Sequence, residues 1–511
     1  MNKCNKTAIF SVILLLAVLF SACAQSNDNT DQTNGADTTM VSGLSDEVTE
    51  LTDEYGRPYI EDGVPADLDF EGVNVNILVR DDDNYKRDFY AEDINGEVVN
   101  DAIYDRNRSV EEALNVKLNI LYGAITNTSS SEAVGDMLRQ SVLAGDNAYD
   151  IVAYYAFYGT TLAAEGMLYD ILDTKYIDLS KPWWNNNLDE LTLDNHNYYL
   201  IGDVNASATN TLMGVFFNQS QIVNYYNDYE FLYQLVYDGG WTFDKFVEIL
   251  SDKYTDINAD GIANEGDFFG LLTVEDNPGP WVAALGIRLA QKDSKGVPQL
   301  SLYSERSVTI YEKLYDLYRN NQNVNFAAKG YNPDKAFASG QGVFVISMLR
   351  NASIEFRDMA DGYGLLPMPK YDVSQEGYYN HFHDNANIIG ISTTAQNPDM
   401  VSAVLELLGA ESYRSVTPAY YEIAMKVKYL ADSDSAKMFD MILDGSIIDF
   451  GQIFSHVLSG SVYDMNVTYH VLFRNMIRTK TTDFTSLYSK NENIYQTNLQ
   501  ELLDTFSNIG K

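Results

Sequence analysis

The chain predicts an α/β protein built on parallel sheets with helices on both faces. Two observations carry this. From Phe70 to Tyr154 the apolar residues alternate between strand and helix spacing, in the order strand, helix, strand, helix, strand, the pattern of a parallel sheet with crossover helices. The composition is 45% hydrophobic and 13% aromatic over 511 residues, enough apolar surface for cores in two or more domains or lobes.

Val73, Val75, Ile77 and Val79 alternate as the first strand. Asn100 is expected to cap the first helix, where Val99, Ala102, Ile103, Val110, Ala113 and Leu114 recur at helical spacing. Val116, Leu118 and Ile120 form the next strand, and Val134, Met137 and Leu138 mark a second helix that leads to an apolar strand at 150–154. Ligands of such sheets lie beyond the carboxyl ends of strands. That rule places Asp81, Asp82 and Asp83 at one rim, and Tyr154, Tyr155 and Tyr158 at another. Residues 215–218 read as a strand leaving this first lobe, and Thr242 as the cap of a helix that begins at Trp241-Thr242-Phe243-Asp244. Further strands are expected at 342–347 and 387–392, and the chain from about Pro398 onward is mostly helical in pattern.

At the amino end Lys3 and Lys6 precede an apolar run from Ala8 to Phe20, broken only by Ser11 and closed by Ser21-Ala22-Cys23. The run is shorter than the roughly 20 residues of a membrane span, and its three regions follow the order of a cleaved secretory signal. A cysteine at the first mature position resembles the lipobox of bacterial lipoproteins, so residues 1–22 are expected to be a signal peptide and Cys23 a lipidation site. Cleavage near Ala24 is the plainer alternative. Once residues 1–22 are removed Cys23 is the only cysteine, so no internal disulfide forms. Residues 23–69 are expected to be the anchor and a flexible tether, since 24–51 is rich in Ser, Asn, Asp, Thr and Gly. The address would be the outer face of the cytoplasmic membrane. Net charge is −39, and a field of that sign argues against nucleic acid and anionic lipid headgroups as partners.

One local motif stands out. Asp256, Asn258, Asp260, Ile262, Asn264 and Asp267 occupy the ligand positions of a twelve-residue EF-hand-like loop, with Gly261 at the sharp turn. Calcium in a structural role is the expected cofactor, and an Asp/Asn/Gly-rich turn without an ion is the competing reading. His381 and His383 would share a strand face and could hold zinc, but no further ligand cluster accompanies them. There is no Gly-x-Ser-x-Gly elbow, Gly-rich phosphate loop or cysteine nucleophile. Among 73 acidic residues a glycosidase-like carboxylate pair carries no information. Trp183, Trp184, Trp241 and Trp281 are candidate sugar platforms or core residues, and Trp241 is assigned to the core.

Several segments recur in a telling order: Tyr149-Asp150-Ile151-Val152 followed by Ala164-Glu165-Gly166-Met167-Leu168, then Phe217-Asn218, then Gly240-Trp241-Thr242-Phe243 leading to Phe269-Gly270. After them come Ala336-Phe337-Ala338-Ser339-Gly340 and Tyr363-Gly364-Leu365-Leu366-Pro367-Met368-Pro369. Together, from about Phe70 onward, they resemble family 1 extracellular solute-binding proteins, the carbohydrate-binding lipoproteins of bacterial ABC importers. The resemblance implies a two-lobed periplasmic-binding-protein-like fold, each lobe a sheet flanked by helices, joined by a hinge. The expected division is 70–215 plus about 387–440 for the first lobe, and 216–386 plus about 441–511 for the second.

It further implies a monomeric, non-catalytic protein that closes over an oligosaccharide and passes it to an ABC permease. Carried over by motif position, the ligand-binding residues would be Asp82, Tyr154, Tyr155, Tyr158, Asn210, Thr211, Asn277, Trp281, Arg350, Asp384 and Asn385. Arg350 departs from the family, which often places an aromatic there, and suggests a charge contact with a uronate or a phosphate. Two other readings stay open: a peptide or other polar-solute binder of the same architecture, and a surface glycoside hydrolase.

Overall fold

A computed structural model describes residues 57–123, 132–275, 278–327, 330–383, 385–421, 432–460 and 468–509. These belong to one compact unit, 51–511. The expected signal peptide, Cys23, and the sequence up to residue 56 lie outside the described residues, as do Asn277 and Asp384.

Two five-stranded sheets organise the unit. The first runs in the order Val116–Gly123, Val73–Arg80, Ile151–Tyr155, Asn387–Ser392, Leu168–Tyr169. Val73 pairs with Val116 and Ile77 with Ile151 in parallel, and Asn387 opposes Tyr155 in the antiparallel sense. The second runs Tyr363–Leu366, Met213–Asn218, Gly342–Met348, Phe269–Val274, Val324–Ala327. Its parallel pairs are Gly342 with Phe269 and Leu271 with Val324, and Met213–Asn218 is antiparallel to both neighbours. Each sheet therefore contains one reversed strand. Met213–Asn218 enters the second sheet after the chain leaves the first, and Asn387–Ser392 enters the first on the way back, so the reversals mark the two crossings.

Burial explains why the strand signals differ in clarity. Ile77, Leu78 and Val79 are all fully buried, because helices cover both faces of a parallel sheet; the alternation read from Val73 fades toward the end of that strand. Met213–Asn218 and Asn387–Ser392 are buried at every position, which accounts for their continuous apolar runs. Thr242 caps helix Phe243–Leu250, its hydroxyl accepting from Lys245 N at 3.3 Å. Asn100 is not a cap. Helix Val98–Leu114 starts three residues earlier than that reading implies, capped by the Glu97 carboxylate, which accepts from Val99 and Asn100 N.

The C-terminal third is largely helical. Pro398–Glu411 packs on Val98–Leu114. Ser433–Asp444 sits on the second sheet, where Ser435 Oγ accepts from Leu365 N at 2.9 Å. Order also begins before Phe70, contrary to the tether expected as far as 69. Ile60, Val64 and Leu68 pack against the core, and Arg414 holds the Ile60 carbonyl at 2.8 Å and Asp62 at 3.0 Å. That apolar anchoring was hidden by the polar residues around it.

Candidate functional site

Both sheets present strand ends toward one region, and the contacts there begin with Arg80, the last residue of Val73–Arg80. Its side chain is 4% exposed. Arg80 Nε donates to Asn387 Oδ1 at 2.9 Å and Nη2 to the Asn385 carbonyl at 2.6 Å. The guanidinium lies 3.8 Å from the ring centre of Tyr85 and 5.1 Å from that of Tyr155, within cation–π range. Burial lowers the Arg80 pKa, opposed by Tyr85, Tyr155, Asp82 and Asp88; a guanidinium remains charged regardless.

Asn387 links this cation to a buried carboxylate. Its Nδ2 donates to Asp88 Oδ2 at 2.9 Å and to the Tyr85 carbonyl at 3.3 Å. Asp88 also accepts from Ser207 N at 2.9 Å and Ser207 Oγ at 2.5 Å. Burial pushes Asp88 up to about 6, against the pull of those hydrogen bonds and of Arg106.

The second sheet meets this rim through Arg350. Pairing of Gly342–Met348 with Met213–Asn218 continues past the strand ends, with Leu349 N donating to Leu212 O and Arg350 N to Asn210 O. Arg350 Nη1 then reaches Tyr85 Oη at 3.4 Å, its guanidinium 5.8 Å from the ring centre. Burial raises the Tyr85 pKa, opposed by Arg350 and Arg80. Asp334 stands behind Arg350; its Oδ2 accepts from Asn351 Nδ2 at 3.1 Å, and burial pushes it up to about 6, against the pull of Ser347 and Arg350.

An aromatic group adjoins the Arg80 rim. Tyr155 and Tyr158 have ring centres 5.2 Å apart, Phe157 meets Tyr158 edge-on at 4.9 Å, and His456 and His470 lie 5.6 and 5.4 Å from Phe157. Burial, then Arg139, lowers the His456 pKa to about 4. A cavity of about 40 Å³ is lined by Pro280, His381, His383, Gln452, His470 and Arg474, among others. A larger one of about 630 Å³, bordered by Lys181, Asp203, Thr209, Phe382 and Asp444, contains none of the Arg80, Tyr85 and Arg350 contacts.

The structure divides the residues singled out in the sequence. Tyr155, Asn210, Arg350 and Asn385 stand at the meeting rims, and Tyr158 is buried behind Tyr155 against Phe157 and His456. Asp82 stands beside them as a turn former: its carboxylate accepts from Asn84 N and its carbonyl from Tyr85 N, which folds Tyr85 back over Arg80. Three others point elsewhere. Tyr154 is 1% exposed, with its hydroxyl against Gly135 of helix Ala133–Ala144, because neighbouring strand residues face opposite ways. Thr211 is fully buried and returns its hydroxyl to the Ala208 carbonyl at 2.7 Å. Trp281 is a core residue, fully buried between Phe243 and Phe246, its N–H donating to Tyr318 Oη at 2.7 Å. Trp183 and Trp184 are buried as well.

Arg80, Tyr85, Asn387, His456 and His470 were not foreseen. Arg80 and Asn387 did carry a signal, each being the lone polar residue at the rim end of an apolar strand. The histidines carried none, since they lie far apart in the chain from the aromatics they meet.

In the loop at 256–267, Asp256 Oδ2 accepts from Gly261 N at 2.8 Å and Asp260 Oδ1 from Ile262 N at 2.7 Å. Asp267 accepts from Ile257 N, Asn264 N and the Tyr254 hydroxyl. Asn258 and Asn264 both donate to Asp260 Oδ2. Among the described residues no group of three or more His, Cys, Asp or Glu is placed to hold a metal ion. No described helix is long and apolar enough to cross a membrane.

No protein-family model and no curated protein sequence matches the chain. Solved structures do match its fold. An ABC substrate-binding protein from Listeria monocytogenes in complex with cycloalternan aligns at TM-score 0.52 and 14% identity, covering 83% of this chain and 99% of that one. UspC of M. tuberculosis aligns at TM-score 0.52 and 15% identity over 83% and 100%. A cyclo/maltodextrin-binding protein complexed with maltotetraose aligns at TM-score 0.52 and 11% identity over 86% and 98%. The chain therefore has the two-lobed α/β fold of substrate-binding proteins, each lobe a sheet flanked by helices.

Proposed function

We propose that this protein captures a saccharide between its two lobes and delivers it to an ABC permease, without altering it chemically. The observation that carries the reading is the alignment of nearly the whole length of two binding proteins solved with bound saccharides, cycloalternan and maltotetraose. The rim chemistry agrees with it. Tyr155, half-buried beside Arg80, offers a flat face for sugar C–H surfaces, and the half-buried Arg350, Asn210 and Asn385 offer polar groups for hydroxyls. Neither cavity described above is lined by Arg80, Tyr85 or Arg350, and Tyr85 joins the two rims through Arg350, so that contact parts for a saccharide to enter between them. Binding then favours reclosure by touching both rims. Placement follows the amino-terminal sequence: signal cleavage, a lipid on Cys23, and a monomer held at the outer face of the membrane beside its permease.

Calcium at the 256–267 loop belongs to the same proposal, as a structural ion. Asp256 Oδ1 is buried without a hydrogen-bond partner, a carboxylate oxygen suited to a cation. Asp256, Asn258, Asp260, Asn264, Asp267 and the Ile262 carbonyl would supply the oxygens by drawing together around the ion, since the three carboxylates do not converge without it.

The test is a thermal-shift screen of mono- and oligosaccharides with short peptides alongside. Ligand at 100 times Kd adds about 2.7 kcal/mol of stability, so a saccharide should raise the melting temperature measurably. Stabilisation by peptides alone would refute the saccharide, and released reducing ends would refute the non-catalytic role.

A further inference from the structure

We propose that the cleft selects a saccharide carrying a negative charge, with Arg350 as the residue that meets it; this rests on the saccharide-binding reading above. Among the described residues the hydrogen bonds of Arg350 go to neutral groups: its side chain donates to the Tyr85 hydroxyl and its backbone to Asn210 O, while the Asp334 carboxyl behind it acts on it only through space. Arg80, on the facing rim, likewise donates to an amide oxygen and a carbonyl. Among the described residues neither guanidinium has a carboxylate within ion-pair distance. That is unusual in a chain with 73 acidic and 34 basic residues, where cations elsewhere find carboxylates readily, as Arg139 does with Glu165 and Arg414 with Asp62.

The acids in the neighbourhood are already engaged. Asp88 accepts from Ser207 and Asn387, Asp334 from Asn351, and Asp82 from Asn84. Two like charges thus meet one phenol ring, 3.8 and 5.8 Å from its centre. Closure over a neutral solute would strip water from the half-buried Arg350, beside an Arg80 that is already buried, without supplying a counter-charge, which is costly. An anionic group offsets that cost, and a guanidinium fork matches carboxylate and phosphate oxygens in pairs. The carboxylate of a uronic acid and the phosphate of a sugar phosphate share this chemistry.

Calorimetric titration of the purified protein with matched pairs tests it: trigalacturonate and triglucuronate against their methyl esters, and 6-phosphomaltotriose against maltotriose. At least one acid should bind tenfold or more tightly than its neutral partner, with the gap narrowing as salt rises. A preference for uronates or for the phosphate identifies the source of the charge. Arg350→Gln should abolish the gap and Arg350→Lys should keep part of it. Neutral partners binding equally well, a gap indifferent to salt, or a gap intact in Arg350→Gln would overturn this inference and leave the proposed function standing. If Arg350→Gln does not fold, the salt series and Arg350→Lys decide. Binding of no saccharide at all would overturn both.

Discussion

Asn387→Ala is the substitution that should most directly expose how the rim is held together. Asn387 is fully buried, its oxygen serving Arg80 at 2.9 Å and its amide serving Asp88 at 2.9 Å and the Tyr85 carbonyl at 3.3 Å. Alanine leaves a buried cation and a buried carboxyl each one partner short. Hydrogen bonds to charged groups are worth about 1.5–3 kcal/mol, so losing two predicts a loss of about 3–6 kcal/mol. The loss should depend on pH. Asp88 sits at about 6 in the folded protein, above its unfolded value, so the stability of its neutral form is fully present below about 4 and is lost as pH rises through about 6. The Asn387 amide softens that loss by favouring the carboxylate. Without it, the destabilisation should be larger at pH 8 than at pH 5. Urea unfolding followed by tryptophan fluorescence measures both. Asn385→Ala is the control, because Asn385 gives Arg80 only its backbone carbonyl, and it should cost under about 1 kcal/mol. A loss for Asn387→Ala no larger than that control at either pH would refute the network.

Two further outcomes are expected. Glu406 is fully buried, accepts from Trp184 Nε1 at 2.9 Å, and is pushed by burial up to about 7. Its neutral form's advantage is lost as pH rises through about 7, so Glu406→Gln should exceed the native protein by up to about 3 kcal/mol at pH 8. The two should converge near pH 5, and a pH-independent difference in urea midpoints would reject the assignment. At the 256–267 loop, an affinity of about 10⁻⁴–10⁻³ M, usual for extracellular modules, would give roughly 1.4–2.7 kcal/mol in 10 mM calcium. Chelation should lower the melting temperature accordingly and Asp256→Ala should remove the response; an unchanged melting curve would reject the ion.

Much of the fold was legible because strand signals are local. Met213–Asn218, Gly342–Met348 and Asn387–Ser392 were visible as apolar runs, since strands covered on both faces need apolar residues at every position. The site was legible where it sits on those strands' ends. Tyr155 follows from the rule that ligands lie beyond strand ends, and Arg350 from the resemblance to solute-binding proteins. Trp281 misled because a large aromatic has the same composition in a core and in a cleft, and only its neighbours Phe243, Phe246 and Tyr318 distinguish the two. Tyr154 and Tyr155 are adjacent in sequence, yet strand geometry sends one under a helix and the other toward Arg80.

By itself the sequence determined the α/β class, the strand that leaves the first lobe at 215–218, and the expectation of a two-lobed binding protein, because periodicity and segment order are properties of the chain. Only the tertiary structure decided which polar residues share a rim. Asn387 is separated from both Arg80 and Asp88 by about 300 residues, and no local pattern encodes which distant partner satisfies a buried charge. That pairing exists only once both sheets have formed and the chain has crossed back between them.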